Sequence, residues 1–176
     1  MSFIQTLSGH HFDYRNISHD AICLEDIATG LSNACRFAGQ LPEFYSVAQH
    51  SVLVSLLVPP EFAFEALMHD ATEAYCCDIP APLKALLPDY REVERYVDSV
   101  IREKYGLPAL HSAPVKYADL VTLATERRDL DIDDGTPWPV LDGIPATDLF
   151  IVNPLRPGQA FTLFVNRFNE LEGLAA

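Results

Sequence analysis

The segment from about Glu61 to Tyr75 is apolar on almost every side when it is read as a helix. A helix with this pattern is buried on all faces, so the segment predicts the central helix of a bundle. The segment is closed by the sequence DIPAP at residues 78–82, because a residue that precedes proline disfavours the helical conformation. The fold must therefore supply several other helices to surround this one.

Other stretches of the chain supply these helices, since their apolar residues recur at helical spacing. The predicted helices run from Cys23 to near Arg36, from a capping box at Ser46 to a stop before Pro59, around residues 93–101 to a stop at Gly106, from Ser112 to about Leu130, and from about Pro157 to Leu171 with an end at Gly173. A hairpin is predicted around Ser8-Gly9, and residues 131–148 form a Gly-, Pro- and Asp-rich surface loop. The sequence thus predicts one all-α domain over residues 1–176 with a small N-terminal β-hairpin.

Charge and composition exclude several kinds of partner. The chain has a formal net charge of −13, which opposes binding to nucleic acid polymers and to anionic membranes. It shows no apolar run long enough to span a membrane and no secretory signal. Its four cysteines lack CxxC spacing and are expected to be reduced thiols, which predicts a cytoplasmic protein.

Three ionisable residues stand in the apolar central segment. His69 and Asp70 are adjacent, and Glu73 follows one turn later on the same helical face. Carboxylates that share an apolar face repel one another, and a divalent cation turns this repulsion into attraction. A buried hydrogen-bonded His-Asp pair is the alternative explanation of the doublet.

The order His50, then His69-Asp70, then Asp119 extends the pattern to H…HD…D. This pattern resembles the HD-domain metal-dependent phosphohydrolase superfamily, which has an all-α fold. The sequences CRF (35–37), FYSVAQHSVLVS (44–55), LMHDATEAYCCDIPAPLK (67–84) and VKYAD (115–119) make the chain look like the short YfbR-type 5′-deoxynucleotidases. The resemblance covers roughly residues 22–130.

The resemblance implies a role for nine residues. It makes His50, His69, Asp70 and Asp119 ligands of one divalent ion, Glu73 and Asp78 the proton-transferring carboxylates, and Arg36, Phe37 and Lys84 substrate-binding residues. Imidazole and carboxylate ligands suit Mn, Fe, Co, Ni or Zn, and Mg is the remaining candidate. Phe37 departs from the family, which usually has Trp after the arginine, so the preference for deoxyribose is open.

Three of these residues also have a simpler interpretation. Arg36 could pair with a carboxylate near its helix end, Asp78 could cap a turn, and Lys84 could be solvated. A solvated surface is expected for the charged face of the helix around 93–101, and a solvated or ion-paired helix surface for Glu126 to Asp129. Surface or turn positions are expected for His10, His11, His19 and His111.

The implied activity is hydrolysis of deoxynucleoside 5′-monophosphates to deoxynucleoside and phosphate. A dNTP triphosphohydrolase, for example one acting on dATP, would use the same centre, because fold and ligands do not separate these substrates. A non-catalytic nucleotide-binding protein is a third possibility. A homo-oligomer is compatible with so small an enzyme, but no helix shows an extra apolar stripe that would define its order.

Overall fold

The chain begins with the hairpin that the sequence predicts. In the computed structural model, which describes residues 3–175 and side chains through residue 173, strand β1 (Phe3–Gln5) pairs antiparallel with strand β2 (His11–Asp13). Phe12 at the centre of β2 is buried and stacks on Tyr75, with ring centroids 4.1 Å apart. This contact attaches the hairpin to the helical core. Residues 1, 2 and 176 of the predicted domain lie outside the described residues.

Helix α1 (Leu24–Asn33) packs one face against the core, but it is shorter than the sequence predicts. The prediction that it continues to near Arg36 is wrong. The backbone N–H of Arg36 donates to the carbonyl of Tyr45 at 2.9 Å, which is a bridge between extended segments rather than a helical bond. The helix therefore stops at Asn33, and a separate 3-10 turn (Arg36–Gly39) follows.

This turn holds two non-glycine residues in the left-handed region. Phe37 has a φ of 55° and Ala38 a φ of 53°. The left-handed conformation costs an L-residue about 1–2 kcal/mol, because Cβ crowds the following carbonyl oxygen. Packing around the turn must offset this strain.

Helix α2 (Val47–Leu57) begins and ends where the sequence predicts. The side chain of Ser46 accepts a hydrogen bond from the backbone N–H of Gln49 at 3.2 Å, which is the expected N-cap. The Gln49 side chain instead binds the segment before the last helix: it donates to the carbonyl of Asn153 and accepts from the N–H of Leu155. Gln49 thus attaches residues 153–155 to the first turn of α2.

The predicted central helix is divided into two. Helix α3 (Ala63–Met68) ends before His69, and helix α4 (Glu73–Cys76) begins four residues later. The Nδ1–H of His69 donates to the carbonyl of Ala66 at 2.8 Å, an acceptor that the N–H of residue 70 would use in a regular α-helix. The prediction of one continuous helix is therefore wrong, and residues 69–72 turn tightly.

The remaining helices complete the bundle. They are α5 (Ala81–Lys84), α6 (Pro88–Tyr105), α7 (Ala113–Asp129) and α8 (Pro157–Ala175), with a 3-10 turn at Pro139–Leu141 in the long surface loop. Helix α6 ends as predicted at Gly106, which has a left-handed φ of 64°. Helix α8 passes through Gly173, where a stop was predicted, because an exposed glycine costs a helix only about 1 kcal/mol.

The core lies where α1, α2, α3 and α8 pack together. Its largest fully buried apolar side chains are Phe12, Ile22, Ile27, Leu31, Leu67, Met68, Ile101 and Phe164. The prediction of an all-α fold with a small hairpin is confirmed. Among the residues described here, no helix combines the length and apolar character needed to cross a membrane.

Candidate metal centre

The structure brings together the four predicted ligands. His50 lies on α2, His69 and Asp70 follow α3, and Asp119 lies on α7. The Oδ1 atom of Asp119 is 3.1 Å from Nε2 of His50 and 3.8 Å from Nε2 of His69. The Oδ2 atom of Asp70 is 3.2 Å from Nε2 of His69 and 3.7 Å from Nε2 of His50. The potential ligand atoms of His50, His69 and Asp119 all lie within 4.8 Å of one another.

Both imidazoles are oriented by a hydrogen bond at the opposite ring nitrogen. The Nδ1–H of His50 donates to Oε1 of Glu126 at 2.6 Å, and that of His69 donates to the Ala66 carbonyl. Neither Nε2 atom has a hydrogen-bond partner of acceptable geometry, although both are buried. A hydrogen bond at one nitrogen is the arrangement that directs the other nitrogen towards a metal ion. The residues present therefore fit a divalent cation.

The electrostatics of the cluster favour added positive charge. Burial opposes protonation of His69, but the Asp70 carboxylate raises its pKa well above the ordinary value. Burial and Arg36 oppose protonation of His50, but Glu126 and Asp119 raise its pKa. The pKa of both Asp70 and Asp119 is lowered, against the effect of burial, by the two imidazoles. A site with this field attracts either protons or a metal ion.

Glu126 is a residue that sequence reasoning missed. It was expected on a solvated or ion-paired helix surface, but it is fully buried in α7. Besides His50, its carboxylate accepts hydrogen bonds from Nη2 of Arg36 at 2.9 Å and from the hydroxyl of Tyr45 at 2.8 Å. Burial opposes ionisation, but Arg36 and His50 lower the pKa of Glu126. The carboxylate is therefore an ionised acceptor that joins a metal-ligand candidate to an arginine.

The sequence did contain a signal for Glu126. It follows Asp119 by seven residues, which is two turns of α7 and places both residues on the same side of the helix. A charged residue on the face that carries a candidate ligand is a candidate to support it. The adjacent charges at 127–129 obscured this relation, because together they resemble a solvated run.

Arg36 lies beside the cluster, close to Glu126 and Asp70. Its side chain is 11% exposed, and it forms the buried ion pair with Glu126. This pairing with a carboxylate was one of two interpretations of the residue, although the partner comes from α7 and not from its own helix end. Its Nη1 atom lies 4.0 Å from Oδ2 of Asp70, which is too far for a hydrogen bond. Nη1 is therefore not bound to Asp70 and can donate to an anion that binds beside this residue.

Glu73 and Asp78 have carboxyl groups that resist ionisation. Burial and the negative charges of Asp70 and Asp78 raise the pKa of Glu73 well above its ordinary value. Burial also raises the pKa of Asp78, and Asp70 adds to this effect. The Oε2 atom of Glu73 is buried without a hydrogen-bond partner. Both carboxyl groups are thus candidates for proton transfer at the site.

A cavity of about 210 Å³ opens beside the cluster. Glu73 and Lys84 line it, and the ammonium group of Lys84 is bound to Glu94 at 2.6 Å. Glu94, Arg95 and Asp98 of α6 also line it. The expectation that Lys84 is simply solvated is therefore wrong, and so is the expectation of a fully solvated charged face on α6.

His111 also lines this cavity, where a surface position was expected. Its ring meets the His69 ring edge to face, with centroids 6.1 Å apart. Buried polar residues hold the loop at both ends: Arg102 donates to the Pro108 carbonyl at 2.6 Å, and the Glu65 carboxylate accepts from the N–H of Ser112 at 2.7 Å. The loop that carries His111 is firmly positioned against the candidate centre.

Phe37 lies beside the arginine, as its sequence position requires. The Cζ atom of Arg36 is 5.3 Å from the centre of the Phe37 ring. The ring also packs against a small apolar cluster that contains Tyr45, Leu130 and Val152. On the other side, the Phe37 ring lies 6.4 Å from the ring of Trp138, a contact that the sequence did not predict.

The fold and the site define an all-α protein with a candidate metal centre of two histidines and two aspartates. No protein-family model matches the chain. The chain is 68% identical, over 174 residues that make up 99% of its length and 98% of the relative, to YfdR of Escherichia coli K12, described as an uncharacterized protein. The chain therefore belongs to the same family as YfdR. It is also 35% identical to the uncharacterized protein RCAP_rcc00048 of Rhodobacter capsulatus, over 64% of this chain and 62% of that protein.

Proposed function

We propose that this protein is a metal-dependent phosphohydrolase that acts on nucleotides, with deoxynucleoside 5′-monophosphates as the favoured substrates. One observation carries the ligand site of this proposal, and the nucleotide substrate is what the resemblance to the YfbR-type 5′-deoxynucleotidases implies. Among the described residues, eight buried side-chain polar atoms lack a hydrogen-bond partner, and four of them belong to Arg36, His50, His69 and Glu73. Unpaired buried polar atoms are rare and costly, so their concentration at one cluster supports a site built for a ligand.

The proposed roles follow from the chemistry of each side chain. His50, His69, Asp70 and Asp119 would hold the cation, whose identity among Mn, Fe, Co, Ni, Zn and Mg is left open. When bound, such a cation supplies charge neutralisation for a phosphoryl oxygen and a lower pKa for water. The guanidinium of Arg36 presents fixed donors to the phosphate oxygens, and its bond to Glu126 keeps it in that orientation.

Two carboxyl groups would transfer the protons that hydrolysis requires. Water must lose a proton as it attacks phosphorus, and the leaving 5′ oxygen must gain one. Glu73 and Asp78 both have raised pKa values and both lie close enough to Asp70 to feel its charge. A pair of this kind supports one group acting as base and the other as acid, with the assignment between them left open.

The experiment is to compare Asp119→Ala with Asp148→Ala. Asp119 approaches both imidazoles, whereas the side chain of Asp148 is fully exposed and its ion pair with Arg128 lies on the surface. Asp119→Ala should lose metal binding and phosphate release together, while Asp148→Ala should retain both. Metal content, and phosphate released from dAMP, are the measurements. Phosphate release that survives Asp119→Ala would contradict the ligand assignment, and nucleotide binding without turnover would favour the non-catalytic alternative.

The alternative activity is release of triphosphate from a dNTP, which would use the same centre because fold and ligand set do not separate the two substrates. The cavity beside the cluster does not favour it, since Lys84 is paired with Glu94 and acidic residues also line the cavity. Assays of dAMP and dATP, with inorganic phosphate and triphosphate resolved, distinguish the two activities.

We also propose a cytoplasmic location for the protein. The four cysteines, Cys23, Cys35, Cys76 and Cys77, are free thiols. Free thiols persist in reducing compartments, where glutathione and thioredoxin oppose disulfide formation. Fractionation of the native host, with the protein followed by antibody, tests the location.

A further inference from the structure

The Phe37 ring is presented from a strained backbone. Phe37 and Ala38 both adopt left-handed conformations that L-residues rarely take. Strained conformations of this kind cluster at ligand-binding positions, where the surrounding structure maintains a required side-chain direction. Here the strained residue Phe37 directly follows Arg36, the candidate anion-binding residue, and its ring centre lies 5.3 Å from the guanidinium carbon.

The second ring comes from the long surface loop. Trp138 is the only tryptophan of the chain, and it lies half-buried within 6.4 Å of the Phe37 ring at an interplanar angle of 49°. A large apolar side chain is unusual in a loop rich in Gly, Pro and Asp, because most residues of this loop are exposed to solvent. Its presence needs either a packing partner or a ligand.

Arg127 holds this loop in position. Its guanidinium lies over the Trp138 ring at 5.0 Å, within the range of a cation–π contact. Its Nη2 atom also donates to the carbonyl of Thr136 at 2.7 Å and to the carboxylate of Asp133 at 2.5 Å. Arg127 follows Glu126 directly on α7, so adjacent residues of one helix anchor the arginine and the tryptophan.

An opening beside the indole is large enough for a flat ligand. A cavity of about 350 Å³ is lined by Trp138, Arg127, Leu141 and Asp142. Aromatic side chains with a nearby arginine bind bases by stacking, and the base identity matters little because every base has a π-face. The same rings contribute little to binding a sugar phosphate that lacks a base.

From this geometry we propose that Phe37 and Trp138 form an aromatic surface that binds the nucleobase of the substrate, while Arg36 binds its phosphate. The inference rests on the proposed function, since it assigns the base-binding part of the same site. Trp138 is then a specificity-determining residue that selects nucleotides over other phosphomonoesters. The competing explanation is that Trp138 only covers the apolar cluster behind Phe37.

Because the chain has one tryptophan, its emission reports on this surface alone. The full-length protein carrying Glu73→Gln, which removes the proposed proton-transferring group, is loaded with Zn²⁺, a closed-shell ion. It is titrated with dAMP, 2-deoxyribose 5-phosphate and inorganic phosphate. The emission of Trp138 should change with dAMP and stay constant with the other two. An equal response to all three, or no response to dAMP, overturns the inference.

Steady-state kinetics of the wild-type protein provide the second test. Trp138→Ala should raise KM for dAMP at least about fivefold, because base–aromatic stacking is lost, and should leave KM for 2-deoxyribose 5-phosphate unchanged. Trp138→Phe keeps a ring and should remain within about twofold of the wild type. Equal KM values for dAMP in wild type and Trp138→Ala overturn the inference.

The two proposals fail in different ways. Hydrolysis of dAMP without any effect of Trp138→Ala removes the base-binding surface and leaves the phosphohydrolase. An emission change with dAMP in a protein that hydrolyses no phosphomonoester or dNTP leaves the base-binding surface and removes the phosphohydrolase.

Discussion

Replacement of Glu126 by glutamine tests whether this carboxylate supports the candidate centre. The change keeps the size of the side chain and removes its charge. Glu126 is fully buried and accepts three hydrogen bonds, two of which join it to Arg36 and His50. Both of these bonds are charge-assisted, because the pKa of Glu126 is lowered by Arg36 and His50.

The magnitude follows from these contacts. A hydrogen bond to a charged group contributes about 1.5–3 kcal/mol and a neutral one about 1 kcal/mol. Loss of the charge at two such bonds should lower the free energy of unfolding of the metal-free protein by about 1–4 kcal/mol. Glu126→Leu removes the acceptor altogether and leaves Arg36 buried without its partner, so the loss should reach about 3–5 kcal/mol.

Metal affinity distinguishes the two possible roles of Glu126, because a residue that only stabilises the fold would not change the affinity when it is replaced. Removal of a group that orients a histidine ligand costs about 10- to 100-fold in metal affinity. Glu126→Gln should therefore weaken Mn²⁺ or Zn²⁺ binding, measured by calorimetry, by at least about tenfold.

The matched control is Glu170→Gln. Glu170 pairs with Arg167 at 2.8 Å, but its side chain is 58% exposed, and such a surface pair contributes about 0–1 kcal/mol. Urea unfolding and metal affinity should both stay at wild-type values in this variant. If Glu126→Gln also bound metal as the wild type does and unfolded at the same urea concentration, the supporting role would be refuted.

Three further predictions concern the packing and chemistry of the site. In Gly30→Ala a Cβ would lie 2.6 Å from the carbonyl oxygen of Ala74, so urea unfolding should show a loss of about 1–3 kcal/mol, whereas Gly158→Ala, with open space around it, should lose nothing. Equal stability of the two variants would contradict the close approach of α1 to α4. Glu73→Gln should keep Zn²⁺ affinity, measured by calorimetry, within about threefold and abolish phosphate release; unchanged turnover would exclude its role in proton transfer. Zn²⁺ should raise the melting temperature, and the rise should shrink as pH falls. Because the pKa of His69 is raised, protonation of His69 stabilises the metal-free protein fully below about pH 6.5, the ordinary histidine value. This contribution disappears as pH rises through the raised pKa, so protons compete with Zn²⁺ best at low pH. A rise that is independent of pH in thermal melts would contradict this competition.

Local sequence determined most of the helices and the hairpin. The cap at Ser46 and the left-handed Gly106 mark helix ends that depend only on nearby residues. The H…HD…D pattern also named His50, His69 and Asp119, whose potential ligand atoms the structure brings within 4.8 Å of one another. The helix ends are readable because a short stretch of chain contains the whole interaction, whereas the ligand set was readable only through its resemblance to a known family.

The wrong helix boundaries have one physical cause. Near Arg36, a backbone bridge to Tyr45 replaces the helical hydrogen bond, and at residue 69 a side chain takes the Ala66 carbonyl. In both places a competing partner is chosen by the folded structure and outweighs a helical preference of only fractions of a kcal/mol per residue.

Periodicity in the sequence determined that this chain forms a helical bundle, because periodicity is a local property, and the resemblance of its H…HD…D pattern to HD-domain phosphohydrolases identified a set of candidate metal ligands. Only the tertiary structure decided which charged residues support that set. Glu126 and Asp148 are both acidic residues in polar stretches, yet one is fully buried between Arg36 and His50 and the other is fully exposed. Burial and pairing depend on residues about 80 to 90 positions away along the chain, as in the Glu126 contacts, and no local pattern contains them.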